Sequence, residues 1–368
     1  MEIHRIHPEL LQRQVRVLVV GCGGTGSAVV AGLPYLHQLL VAHGHPGGLH
    51  VTVVDGDAIS PTNCVRQPFA RSEIGLNKAV VLVNRINLFW GLKWDAVPAH
   101  LRTGTFISRS YSGDDLRAHI VVGCVDTRAA RATIRDAVGK WSTASYWLDL
   151  GNNADSGQFI LGEPLNERNR KSRLRLRSAD ELYPEIVDPG LDDDGQPSCS
   201  AAAALERQEP FINSTLAQHA LALLARLFRY GTVCYHGGFI NLSTGIGSRL
   251  PVDASLWRRL RRRCKSEKIE RRTTPGNHVL SHLLQFLTTF IYAPAMQHRR
   301  RFLWPKPANS RVFVGSSGWP LAFCSSWQPW EAHSTSLFTF STTEPAAPNG
   351  TSPTSKVQAI ARSNSLPS

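Results

Sequence analysis

The residues Gly21-Cys22-Gly23-Gly24-Thr25-Gly26 offer the first recognisable chemistry in this chain. Glycines let a backbone turn tightly and come close to a phosphate or a ribose. A helix opening directly after such a turn adds free N–H groups and a partial positive charge. Gly21, Gly23 and Gly26 also satisfy the G-x-G-x-x-G spacing of dinucleotide sites, so the turn by itself fits NAD, FAD or ATP. Asp55, at the end of the next apolar run, suits a ribose hydroxyl in either case. A ligand-free strand–helix turn is the plain alternative.

A second group of residues follows at once. Arg66 can grip phosphate oxygens as a planar fork, Lys78 can act as a point charge, and Asn63 can donate to a phosphate oxygen. A hydride-transferring enzyme needs no such cluster directly after the ribose acid. Taken singly, Arg66 and Lys78 read equally well as solvated surface charges. Asp126 follows the apolar run HIVVGCV, at the strand end where ligands of open α/β sheets bind. It could serve as a ligand contact, as a helix N-cap, or as both. Arg131 could stabilise a site or pair with a surface acid.

The seven cysteines are scattered and form no C-x-x-C pair, which argues against a zinc site or a disulfide framework. Cys199, in Pro197-Ser-Cys-Ser-Ala, is a candidate nucleophile if a helix N-terminus follows it and lowers its pKa. Cys22 and Cys124 read as packing residues, and Cys64 as structural. The histidines show no H-E-x-x-H ligand spacing, and His43 and His45 form an isolated loop pair.

The elements that must position these residues alternate. Val15–Val20, Leu49–Asp55, part of Leu92–His100, His119–Val125 and Ser145–Gly151 read as strands. Asn77–Leu88, the stretch DTRAARATIRDAV and the stretch INSTLAQHALALLARLF read as helices, and Phe239–Pro251 as a final hairpin. This alternation predicts an α/β, Rossmann-like, doubly wound and mainly parallel sheet. Residues 162–198 are charged and rich in Pro, Asp and Arg, and are expected to form a long crossover loop. The expected division is a nucleotide-binding domain over 1–255 and a basic, poorly ordered extension over 262–368.

The charge distribution supports that division. The net charge is +13, yet from Ser255 onward there are 16 Lys/Arg against 4 Asp/Glu, so the first 254 residues are close to neutral. The run Arg258–Arg263 could meet phosphates, but no nucleic-acid fold signature accompanies it and a solvated charge run is the expectation. No run of about 18 apolar residues occurs, and the N-terminus is too polar for a signal peptide, so a soluble cytoplasmic protein without membrane contact is expected.

Asp55-Gly-Asp57, then Thr62-Asn63-Cys-Val-Arg66-Gln67, then Gly75-Leu-Asn-Lys78 follow the glycine turn in order. Here the chain resembles the ThiF/MoeB and ubiquitin-activating-enzyme family, which carries G-x-G-G-x-G, D-x-D, S-N-x-x-R-Q and G-x-x-K. The resemblance spans about residues 14–250, with Thr62 in place of the usual Ser. It implies ATP held by Gly21, Gly23, Gly24, Gly26, Asp55, Asp57, Asn63, Arg66, Gln67 and Lys78. It also implies Mg²⁺ on Asp126, where the family's D-N-x-x-x-R reads Asp126-Thr127-Arg128-Ala-Ala-Arg131. Some members pass the activated acyl group to a loop cysteine, here Cys199. Arg66, Lys78, Asp126 and Cys199 are thus the implied catalytic set. Classical members place an N-terminal Arg on the ATP phosphates, often across a homodimer; Arg13 or Arg16 could serve here. The stretches RINLFWGL, YWLDLGNNADSGQFILG and PSCSAAAALERQEPFINSTLAQHALALLARLFRYG are similar to the bacterial PRTRC-system ThiF subfamily. That likeness implies a small ubiquitin-like protein with a C-terminal glycine as substrate, and a conjugating-enzyme-like partner. The alternatives are a dinucleotide-dependent oxidoreductase and a non-catalytic scaffold.

Overall fold

The computed structural model describes residues 2–102, 106–108, 111–112, 116–172, 174–192 and 208–262, all within one compact unit. Nearly all of the 262–368 extension, and Cys199, lie outside the described residues. No described helix is long and apolar enough to cross a membrane.

The strands among the described residues are β1 (His4–Arg5), β2 (Val15–Val20), β3 (Leu49–Val54), β4 (Asp95–Val97), β5 (Phe106–Ser108), β6 (Tyr111–Ser112), β7 (Ile120–Gly123), β8 (Tyr146–Asn152), β9 (Ser156–Gly162), β10 (Thr232–Val233), β11 (Tyr235–Asn241) and β12 (Ile246–Pro251). The helices are α1 (Gly24–Ala42), α2 (Asn63–Arg66), α3 (Lys78–Trp90), α4 (Arg128–Lys140), α5 (Ala179–Leu182) and α6 (Ile212–Tyr230). A further helix starts at 254, and its described part runs to 262.

Eight strands form one sheet in the order β12-β11-β9-β8-β7-β2-β3-β4. The run β4-β3-β2-β7-β8 is parallel, and β9, β11 and β12 extend it antiparallel. The chain therefore winds outward from β2 in one direction, returns, and continues from β7 in the other. That reversal places a topological switch point between the C-terminal ends of β2 and β7, where open α/β sheets take ligands.

Alternation along β2 explains the layering. Val15, Val17 and Val19 pack with α1, α3 and α6 on one face, while Leu18 and Val20 pack with Ile134 and Val138 of α4 on the other. Side chains of successive strand residues point to opposite faces, so a strand apolar throughout is buried twice. The α6 stripe Leu216, Leu223, Leu227 is fully buried against α1 and the sheet.

The segment expected as a crossover loop begins inside β9 and carries α5 and two short 3-10 turns. Several of its buried polar groups bond within the fold, although Asn169 Oδ1 and Arg168 Nε have no partner among the described residues. Asn166 and Asn169, 4% and 0% exposed, donate to main-chain carbonyls from Pro164 and from Val138 to Ser145. Arg175 forks onto Glu181 at 2.7 Å and also donates to the Glu163 carbonyl.

Candidate active site at the switch point

The turn after β2 shows why two of its four glycines, Gly21 and Gly26, are needed. Gly21 has φ +93°, and a Cβ there would stand 2.7 Å from the Cys124 carbonyl oxygen at the end of β7. A Cβ on Gly26 would stand 1.9 Å from the Gly21 carbonyl oxygen. A Cβ on Gly23 would meet no atom of the described residues within 4 Å, so packing among them gives no reason for glycine there. Gly24 faces the Asn213 side chain. Gly26→Ala supplies a test, because alanine inside a helix ordinarily gains about 1 kcal/mol over glycine. Here the expected result is instead a loss of about 1–3 kcal/mol in chemical denaturation, from overpacking against the turn.

Asp55 leaves β3 beside this turn. Its Oδ2 accepts from the Cys22 N–H and its Oδ1 from the Asp57 N–H at 2.8 Å. Burial raises its pKa, while the two N–H donors and the Lys78 charge act against that rise. The carboxylate thus ties the glycine turn to the segment after β3. Lys78 begins α3, is 7% exposed, and holds Asp57 Oδ2 at 2.9 Å. It is not a solvated surface charge. Asn77 caps α3 by accepting from Val80 N–H, and its own amide donates to the Asp55 and Asp57 carbonyls.

The short helix α2 carries the next three residues. Asn63 Oδ1 accepts from Ser60 N–H and Oγ–H, at 2.8 and 3.0 Å, and among the described residues its amide nitrogen has no partner. Arg66 is half-buried and donates through Nη1 to Gln208 Oε1, which is neutral; among the described residues it forms no ion pair. Gln208 in turn donates to the Asn153 carbonyl just beyond β8. Gln67 Oε1 is buried with no hydrogen-bond partner among the described residues, an acceptor in want of a donor.

Asp126 is exposed, one turn of chain past β7 and adjacent to the strand end that Gly21 touches. It does not cap α4. That role belongs to Thr127, whose side chain accepts from Ala130 N–H at 3.2 Å. Arg131 does not pair with a surface acid. It is 8% exposed and donates through Nε to Asp149 Oδ1 at 3.3 Å, and Asp149 is completely buried on β8. Burial raises the Asp149 carboxyl, and Arg131 pulls it back.

Three further polar residues reach the crevice. Thr25 Oγ lies 3.1 Å from Asn152 Oδ1 at the end of β8 and 2.8 Å from Asn213 Oδ1 at the start of α6. Gln208, bonded to both Arg66 and the Asn153 carbonyl, links the end of β8 to α2. Thr25 lies inside the glycine motif, but no spacing motif marks Asn152 or Asn213; the sequence signal was only a run of amides, Asn152-Asn153, directly after an apolar strand.

Other candidates resolve simply. Burial raises the thiol pKa of Cys22 and Cys124, as suits packing residues. Cys64 Sγ–H faces the Ser60 carbonyl. His43 and His45 bond main-chain groups at Leu39, Leu10 and Gly48. No cluster of three metal-ligating side chains occurs among the described residues. Arg16 opens β2 and Arg13 precedes it, so both stand at the sheet edge away from the crevice; Arg13 lies 3.6 Å from Glu9.

The glycine turn, the Asp55 tie, the α2 cluster and Asp126 therefore converge on one crevice, and the ThiF family model matches residues 6–241 across all of them. The chain belongs to the ThiF family. It thus has the nucleotide-binding, ATP-using adenylyltransferase fold of that family. No curated protein sequence matches it. Similar solved structures include selenomethionine PaaA, at 12% identity and TM-score 0.44, covering 65% of this chain and 73% of that one. Another is E. coli MccB with MccA-N7isoASN, at 17% identity and TM-score 0.40, covering 65% of this chain and 64% of that one, a little under two thirds of its length.

Proposed function

We propose that this ThiF-family chain adenylates the C-terminal carboxylate of a small ubiquitin-like protein, with ATP bound in the crevice between the ends of β2 and β7. The observation that carries this reading is the pairing of an open approach at Gly23 with charged groups left uncommitted around it. Arg66 has only a neutral partner, and Asp126 has none among the described residues.

In this reading the helix N-terminus at Gly24 and the turn amides face the phosphates. Arg66 grips phosphate oxygens bidentately, Asn63 donates its free amide, and Lys78 adds charge from its place beside Asp57. Asp55 holds the turn in shape and Gln67 accepts from a nucleotide or peptide donor. A single exposed carboxylate beside phosphate oxygens and water suits Mg²⁺, and Asp126 would hold it. When bound, that ion neutralises charge on the triphosphate. A carboxylate oxygen of the partner attacks the α-phosphorus; the new O–P bond forms as the bond to the β-phosphate bridging oxygen breaks, and pyrophosphate leaves. Catalysis of this kind is positioning plus charge stabilisation. Cys199 is the proposed acceptor of the acyl group, its thiolate attacking the acyl carbonyl and releasing AMP.

The test is ATP–pyrophosphate exchange with a small protein ending in glycine, compared with the same protein lacking that residue. Exchange only with the intact partner supports the reading; none with the correct partner favours a non-catalytic scaffold. A reducible adduct that survives Cys199→Ala removes Cys199 as the acceptor.

A further inference from the structure

The nucleotide crevice leaves one cavity unexplained. It is an open concavity of about 250 Å³ between the segment carrying Leu165, Arg170 and Arg177 and the helix that starts at 254. Both segments leave the sheet at the edge away from the crevice. Gly162, the end of β9, lies opposite Trp147 near the start of β8, and Pro251, the end of β12, lies opposite Tyr235 at the start of β11.

The lining is one-signed. Among the described residues, five arginines line it and no Asp or Glu does. Arg175 and Arg177 are committed to Glu181, at 2.7 and 3.0 Å. Arg170, Arg258 and Arg261 are exposed and form no ion pair among the described residues. Gathering unpaired guanidinium groups around one concavity is unfavourable unless an anion joins them. The floor is rigid: Trp257 is 3% exposed and donates its indole N–H to His236 Nε2 at 3.0 Å, and His236 is completely buried. The arginines therefore converge from a fixed support. The concave shape, and a volume at or below the small end of ligand pockets, favour a compact ligand over a polymer laid along a surface.

We propose that this cavity is a second anion site, built for a compact, multiply charged phosphate-type oxyanion and separate from the nucleotide crevice. Guanidinium forks match such oxygens in pairs, which surface lysines do not. The experiment titrates inorganic pyrophosphate into the full chain by calorimetry, in an Arg66→Ala/Lys78→Ala background that weakens the crevice's own phosphate grip. One pyrophosphate site is expected to remain. Adding Arg258→Glu and Arg261→Glu should weaken it about tenfold or more, and Arg258→Lys with Arg261→Lys should weaken it less. Arg170→Glu alone gives the same direction should the double reversal fail to fold. No binding in the background protein, or binding indifferent to these reversals, overturns the proposal. Tighter binding of a single-stranded oligonucleotide than of pyrophosphate at the same arginines also overturns it.

Discussion

Asp126→Asn is expected to lower partner-dependent ATP–pyrophosphate exchange about a hundredfold or more while leaving the melting temperature unchanged. The two halves of that expectation rest on different observations. The side chain is exposed, caps no helix and has no partner among the described residues, so its replacement falls within the small effects of ordinary surface changes. Its place at the end of β7, beside the turn that Gly21 closes, is where a carboxylate would hold a divalent ion against the triphosphate. Removing one preorganised electrostatic contact of this kind costs about 10²–10³ in rate. If Asp126 were only a surface acid, exchange would be unaffected. Measuring exchange at rising Mg²⁺ concentration sharpens the test, because a weakened ion site should recover part of the rate.

Arg131→Met should act on stability. It strands Asp149, which is completely buried and whose Oδ2 has no hydrogen-bond partner among the described residues even in the native pair. Breaking a buried ion pair from one side costs about 3–5 kcal/mol. The pH dependence has a definite sign. Burial raises Asp149 in the folded chain, and Arg131 supplies the main opposing pull. Without Arg131 the folded-state pKa rises further above the unfolded value. The deficit is therefore smallest below the ordinary carboxylate range and grows as pH rises through the folded value. Urea denaturation at acidic and neutral pH measures this. The double change Arg131→Met with Asp149→Leu should recover part of the loss, since an apolar pair leaves no buried charge. Equal stability of the single variant and the parent would contradict the account.

Much of this architecture was legible because its signals are local. Val15–Val20 and Leu49–Val54 are apolar and β-branched, Gly91 and Gly231 end α3 and α6 with positive φ, and the hairpin β11–β12 turns at Gly245. What the sequence hid was pairing at long range. Ser156–Gly162 adds an antiparallel strand between β8 and β11, yet nothing in its short apolar run distinguishes it from loop. Residues 162–198 read as a crossover loop because charge was counted without its partners; Glu163 in fact bonds His7, accepts from Leu176 N–H and lies 3.7 Å from His4 while 1% exposed. The site residues divide the same way. Arg66, Lys78 and Asp126 stand out through motif order, whereas Asn152, Gln208 and Asn213 become site residues only when β8 and α6 are folded against the glycine turn. Arg131 was visible, but its partner was hidden inside the next strand.

The most direct test of the central claim is a calorimetric comparison of ATP with Mg²⁺ against NAD on the purified full chain. The glycine turn alone would accept either, so the result depends on the groups arranged around it. The account predicts saturable ATP binding that weakens in Arg66→Ala and Lys78→Ala, with no comparable NAD signal. Tight NAD binding with no ATP signal would contradict it.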